Sequence, residues 1–193
     1  MGTSLTKGAN VALTAADPSL TRVLVSLGWN PPASAQPFDL DASALLCGAD
    51  GKVPNQGHFV FYNQLSSPGT PVQHQGGNQA GAGADGQDDE QVEVDLARVP
   101  DYVDKVVFAV SIHQAAERRQ TFAQVGVAFI RVSNLDTGTE IVRYDLNHDC
   151  AGETAMVFGE LYRHSGGWKF RAVGQGWAEG LEGIARDYGV GRA

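Results

Sequence analysis

Short runs of apolar, β-branched and aromatic residues recur along this chain, separated by turn residues rather than by long helical repeats. By their alternation they predict strands at Val11–Thr14, Val23–Leu27, Asp39–Leu46, His58–Tyr62, Val92–Leu96, Val106–Ile112, Val127–Val132, Glu140–Leu146, Met156–Arg163 and Trp168–Val173. Asp136-Thr137-Gly138 and Gly166-Gly167 read as tight hairpin joints, because glycine supplies the positive φ that such turns need. Two stretches carry a helical signal. Glu179–Tyr188 lines up Leu181, Ile184, Ala185 and Tyr188 on one stripe, and Gln114–Gln124 is an Ala- and Arg-rich candidate. Strands that do not alternate with long helices argue against a doubly wound parallel sheet. The predicted fold is mainly β: a two-sheet, antiparallel-rich β-sandwich with a few short helices, including a C-terminal one.

One segment breaks the pattern. Between Gln73 and Gln91 there is no Val, Leu, Ile, Met or aromatic residue, and there are five glycines. A stretch with nothing to bury reads as a loop, 73–91, set within one domain covering 1–193. The same region carries the charge. Nine of the chain's 22 acids and one of its 14 bases lie between Val23 and Ala97, so the whole net charge of −8 resides there. The acids are Asp39, Asp41, Asp50, Asp85, Asp88, Asp89, Glu90, Glu93 and Asp95, opposed by Lys52. Crowded carboxylates without basic partners repel one another, and a cation removes that cost. A solvated acidic loop is the plainer alternative.

The segment Phe38-Asp39-Leu40-Asp41-Ala42-Ser43 is the sharpest motif. In an extended chain Asp39, Asp41 and Ser43 share one face, with the two carboxylates about 7 Å apart. A strand with one wet face is the bland explanation of that pattern. The second cluster is Asp85 followed by Asp88-Asp89-Glu90, embedded in glycines that let a backbone wrap an ion. Asn78 and Asn63 offer neutral oxygens nearby. All-oxygen donors suit Ca²⁺ or Mg²⁺ rather than zinc or copper.

Other chemistries fit less well. An EF-hand register begun at Asp39 meets Ala44 where Gly is required and Asp50 where Glu is required. His58, His74, His113, His148 and His164 show no zinc spacing, and the Gly-rich loop lacks a phosphate-binding Lys. The acidic balance, with an isoelectric point near 5.0, argues against a nucleic-acid partner. No apolar run reaches the ~20 residues of a membrane span. Cys47 and Cys150 show no CxxC spacing and read as buried free thiols, which together with the lack of a secretory signal suggests a cytoplasmic setting. A metal-dependent hydrolase using Asp39, Asp41 and Asp88–Glu90 is the competing reading of the paired carboxylates.

Taken in order, Leu27-Gly28-Trp29, Phe38–Ser43, Phe59-Val60-Phe61-Tyr62-Asn63-Gln64, Asp88-Asp89-Glu90, Ala128–Val132, Asp136–Glu140 and Glu153–Arg163 resemble the TerD family of tellurium-resistance and stress-response proteins. The resemblance implies a β-sandwich that binds Ca²⁺ at adjacent sites built from acidic loops. It implies a binding or scaffolding role without catalytic activity, with protein partners in a membrane-associated stress complex. Carried over by position, it marks Asp39, Asp41, Asn63, Asn78, Asp88, Asp89 and Glu90 as metal ligands. Four departures from the family pattern stand out. Asn30 follows Trp29 in place of Asp, Gly77 replaces an Asp before Asn78, Gln114 replaces an Asp after His113, and Val127 replaces an Asn. The changes at Asn30 and Gly77 remove carboxylates from the expected ion sites, which should weaken affinity or cost one site.

Overall fold

The structure, a computed structural model, describes residues 2–30, 38–77, 90–146 and 150–191. Among them are twelve strands: β1 (Thr3–Leu5), β2 (Asn10–Ala12), β3 (Arg22–Asn30), β4 (Leu40–Cys47), β5 (Phe59–Val60), β6 (Val72–Gly77), β7 (Glu90–Asp95), β8 (Lys105–Ile112), β9 (Val127–Asn134), β10 (Glu140–Asp145), β11 (Ala155–His164) and β12 (Gly167–Trp177). Helix α1 (Ala115–Arg118) is a single turn, and α2 (Gly180–Asp187) lies near the C-terminus. The strands form two six-stranded sheets, β1-β10-β9-β3-β7-β6 and β2-β12-β11-β8-β4-β5. Every pairing is antiparallel except β1 with β10. The sandwich expected from the alternation is present.

Alternate residues of both sheets meet in one core. Val23, Val25 and Leu27 of β3 and Val92 and Val94 of β7 join Ala42, Ala44 and Leu46 of β4 and Phe108 of β8, all essentially inaccessible. A second cluster lies on the opposite face of the β4–β8–β11 sheet. There Leu45, Cys47, Val107, Ala109 and Val157 are covered by Ile184 of α2 and by Trp177. The apolar stripe of Glu179–Tyr188 is therefore what docks this helix. Trp177 Nε1 donates to Asp187 Oδ2 at 2.8 Å and ties the helix end down. Burial in this cluster pushes the free thiol of Cys47 up to about 12, whereas Cys150 is only half-buried.

Four readings change. The Asp41/Ser43 face of β4 is not a wet face: Ser43 is buried, because the sheet is covered on both sides there and only the first residues of the strand emerge. The loop set at 73–91 is shorter at both ends. Polar Val72–Gly77 forms β6 against β7, which itself begins at Glu90, because the open edge of β7 supplies a ladder that outweighs poor strand propensity. The last hairpin turns on Ser165 (φ 50°) and Gly166 (φ 77°), while Gly167 already pairs with His164 in β12. The Gln114–Gln124 helix reduces to α1 and a 3₁₀ turn at Phe122–Gln124. At the first hairpin joint, Gly138 (φ 68°) closes the β9–β10 connection through its N–H to Asn134 O at 2.9 Å.

Gly159 sits where the register of β11 shifts against both neighbours. A methyl group there would lie 2.8 Å from Phe170 Cε2 and 3.0 Å from the Arg171 carbonyl oxygen, and the Phe170 ring is wholly buried. Gly159→Ala should therefore destabilise the protein by about 1–3 kcal/mol through overpacking. Urea denaturation should show a lower midpoint with an unchanged slope.

Candidate metal centre

Sheet geometry brings the first acidic motif to one end of the sandwich. Strand β4 starts there at Leu40, paired with Ile112 at the end of β8, and the chain just before it is held by His113 N donating to Asp39 O at 2.7 Å. Leu40 turns into the core, and Asp39 and Asp41 emerge on either side of it. Opposite, β7 begins at Glu90, between Leu27 of β3 and Gly77 of β6. Asp39, Leu40, Asp41, Tyr62, Glu90 and His113 together line a cavity of about 190 Å³.

The electrostatics of this cavity match its contents. Burial, followed by the nearby Asp39 and, more weakly, Glu90, raises the pKa of Asp41 above the ordinary carboxylate value, while His113 and His74 oppose the shift. The Nδ1 of His113 lies 3.7 Å from Asp41 Oδ2, beyond hydrogen-bond length. Glu90 is 93% buried, its exposure being 7%. Its Oε2 stands 2.8 Å from Nε2 of the buried His74, whose Nδ1 accepts from Gly76 N–H at 3.0 Å. The approach is electrostatic rather than a hydrogen bond: Glu90 Oε2 is buried and has no hydrogen-bond partner among the described residues. Gly76 reaches the ring through a left-handed backbone (φ 81°) at the irregularity between His74 and Gly77 in the β6–β7 ladder.

Of the residues expected as ligands, Asp39, Asp41 and Glu90 share this cavity. Asn63 does not line it: Tyr62 and Asn63 form the corner of a turn closed by reciprocal bonds between Phe61 and Gln64 (3.0 and 2.9 Å), and Tyr62 supplies the wall. Asn78, Asp88 and Asp89 lie outside the described residues. His74, His113 and Tyr62 were not singled out from sequence. Their spacing carries no ligand signature, and only the cavity reveals them. Gly77, one of the departures, pairs directly with Glu90, and Asn30 lies three residues beyond Leu27 at the same end.

The donors suit a hard cation in kind, since three carboxylates converge on one cavity and one of them is deeply buried. Their number is incomplete. Among the described residues no three of His, Cys, Asp and Glu close around a single point, and Ca²⁺ takes six to eight oxygens. No helix among the described residues is long and apolar enough to cross a membrane.

Comparison with known proteins agrees with the fold and with the order of the motifs. The TerD domain model matches residues 1–188. The chain is 53% identical over 191 residues to Tellurium resistance protein TerD of Serratia marcescens, covering 98% of each chain. It is 47% identical over 192 residues to General stress protein 16U of Bacillus subtilis, again with 98% of both covered. A crystal structure titled as a homologue of telluride resistance protein (TerD), from Streptomyces coelicolor A3(2), superposes with a TM-score of 0.67 at 25% identity, covering 86% of this chain and 96% of that one. With a family model running nearly from end to end and relatives matching at about every second position, this chain belongs to the TerD family of tellurium-resistance and stress-response proteins.

Proposed function

We propose that this protein binds Ca²⁺ at the Asp39–Asp41–Glu90 cavity and acts in the stress response as a binding or scaffolding module rather than as an enzyme. The observation that carries the reading is the convergence of three carboxylates from two sheets on one cavity, with Asp41 held above the usual carboxylate range by burial and by its neighbours. A structure that assembles such a group forgoes stability unless something positive joins it. Asp39, Asp41 and Glu90 would hold the ion, and Asn78, Asp88 and Asp89 would complete its oxygen shell. When bound, the ion would offset the mutual repulsion of the Asp39, Asp41 and Glu90 carboxylates.

His74 stands beside this site with Nε2 2.8 Å from Glu90 Oε2, and that buried oxygen, without a hydrogen-bond partner among the described residues, is left for the ion. The departures at Asn30 and Gly77 flank Glu90, so the charge missing there lowers the number or the affinity of ions held on that side. A cytoplasmic setting and protein partners within a stress complex belong to the same reading. Hydrolysis, the other use of paired carboxylates, has no observation in its favour.

Two experiments test the proposal. Saturating Ca²⁺, at a hundredfold excess over Kd, should stabilise the fold by about 2.7 kcal/mol, a rise of about 5–10 °C in the melting midpoint for a protein of this size. Mg²⁺ should do less, and the Asp39→Ala, Asp41→Ala double variant should show neither the rise nor a calorimetric signal. A wild-type midpoint that is the same in Ca²⁺ and in chelator would refute the site. The second experiment uses pH. Because the folded-state pKa of Asp41 lies above its unfolded value, its contribution is stabilising while the group is protonated and is lost as pH rises through the folded pKa. In chelator, Asp41→Asn should therefore melt higher than wild type at pH 7, and the difference should shrink as pH falls from the folded to the unfolded pKa and vanish below about pH 3, where the Asp41 carboxyl is neutral in both states. Equal midpoints at pH 7 would contradict the crowding of this carboxylate.

A further inference from the structure

We infer that Arg118 is an internal counter-cation of this site, competing with the bound ion for Asp39 and thereby setting how tightly the ion is held. The inference rests on the Ca²⁺ reading above and adds to it a residue that weakens binding. Arg118 Nη2 lies 4.0 Å from Asp39 Oδ2, and both side chains are about one-third exposed (34% and 32%). At that distance the two charges attract one another without a hydrogen bond. The contrast with Arg163 is instructive. The Arg163 guanidinium grips the carbonyls of Val99 and Val103 at 2.8 and 2.9 Å and lies over the Trp168 ring, so it cannot leave without loss. Arg118 has a long contact of 3.4 Å with Gln114 Oε1 beside its loose approach to Asp39.

The element that carries Arg118 is short and marginal. Helix α1 is one turn with no fully buried residue, only Ala115 packing in part against the core, and Gln114 (φ 53°) and Arg119 (φ 54°) bound it in the left-handed region that non-glycine residues disfavour. Its start stays anchored, because His113 N remains bonded to Asp39 O in the backbone ladder.

The charge balance gives Arg118 its role. Asp39, Asp41 and Glu90 place three negative charges around the cavity, and Arg118 offsets one of them in the ion-free protein. A dication entering against Asp39 repels the guanidinium, so binding must displace it or work against it. Arg118 thus protects the empty site from its own repulsion and sets a threshold concentration for filling it.

Calorimetric Ca²⁺ titrations of wild type, R118Q and R119Q at low ionic strength test this directly. Arg119 is exposed and carries the same charge on the same turn, which makes its variant the control for charge alone. R118Q should bind Ca²⁺ about fivefold more tightly than wild type, R119Q should stay within about twofold, and the gap should narrow as salt is raised. In wild type, the side-chain Nε–H signal of Arg118 in ¹⁵N spectra should move on Ca²⁺ addition while that of Arg119 stays in place. Measurable binding with equal constants in wild type and R118Q, or equal gains in R118Q and R119Q, would overturn the role of Arg118 and leave the Ca²⁺ site intact. Absence of binding in both wild type and R118Q would overturn the site and the inference together.

Discussion

Alternate side chains from the two sheets interlock between them, and this apolar seam decides where each acidic group of the molecule emerges. Leu40, Ala42, Ala44 and Leu46 of β4 face Val92 and Val94 of β7 across it. A slip of β4 by one residue would drive Asp41 and Ser43 into that seam and turn Leu40 and Ala42 out of it. The register is therefore held by the core, and Asp39 and Asp41 follow from it as the places where β4 leaves the apolar interior. Glu90 is the corresponding point on β7.

Some carboxylates elsewhere meet cations closely: Arg143 holds Asp145 at 2.8 Å and stacks on Phe129, and Lys105 and Arg171 both attend the buried Glu160, while exposed pairs such as Arg186 with Glu179 stay at 4.0 Å. Asp39 and Asp41 resemble the exposed pairs, with basic side chains at 4.0 and 3.7 Å, although they sit together with the buried Glu90. His74 approaches Glu90 at 2.8 Å, yet Glu90 Oε2 has no hydrogen-bond partner among the described residues. Carboxylates kept together but incompletely neutralised are costly to the fold alone. Such local conflicts with stability are where function is usually found.

Membership of the TerD family places this arrangement in a stress-response setting, while the particular residues show how this member differs within it. Gly77 stands opposite Glu90 in the β6–β7 ladder and Asn30 lies farther along β3, so two of the departures from the family pattern sit on the Glu90 side of the cavity. A third, Gln114, begins the turn that bears Arg118. Lower negative charge on one side and the Arg118 guanidinium on the other both bear on the charge balance around Asp39, Asp41 and Glu90.

Much of this was legible in the chain. Apolar and β-branched runs located β3, β4, β8 and β11, nearly continuous in β8 because both faces of that sheet are covered, and the stripe Leu181, Ile184, Ala185 and Tyr188 announced the helix that covers Leu45 and Cys47. Strands β1 and β6 escaped notice. Thr3–Leu5 is too short to show a period, and Val72–Gly77 is a polar segment that becomes a strand only because β7 offers it a partner. The carboxylates could be read from their density, yet their meeting could not. Nor could the places of Tyr62 and His113 in the cavity wall, of His74 beside Glu90 or of Arg118 beside Asp39 be read, since none stands near its neighbour in the sequence. Periodicity records which way each side chain points along its own strand, and so the sequence alone determined the sandwich and the candidate acids. Which acids face one another depends on contacts between segments some fifty residues apart, and only the packing of one sheet upon the other decided that.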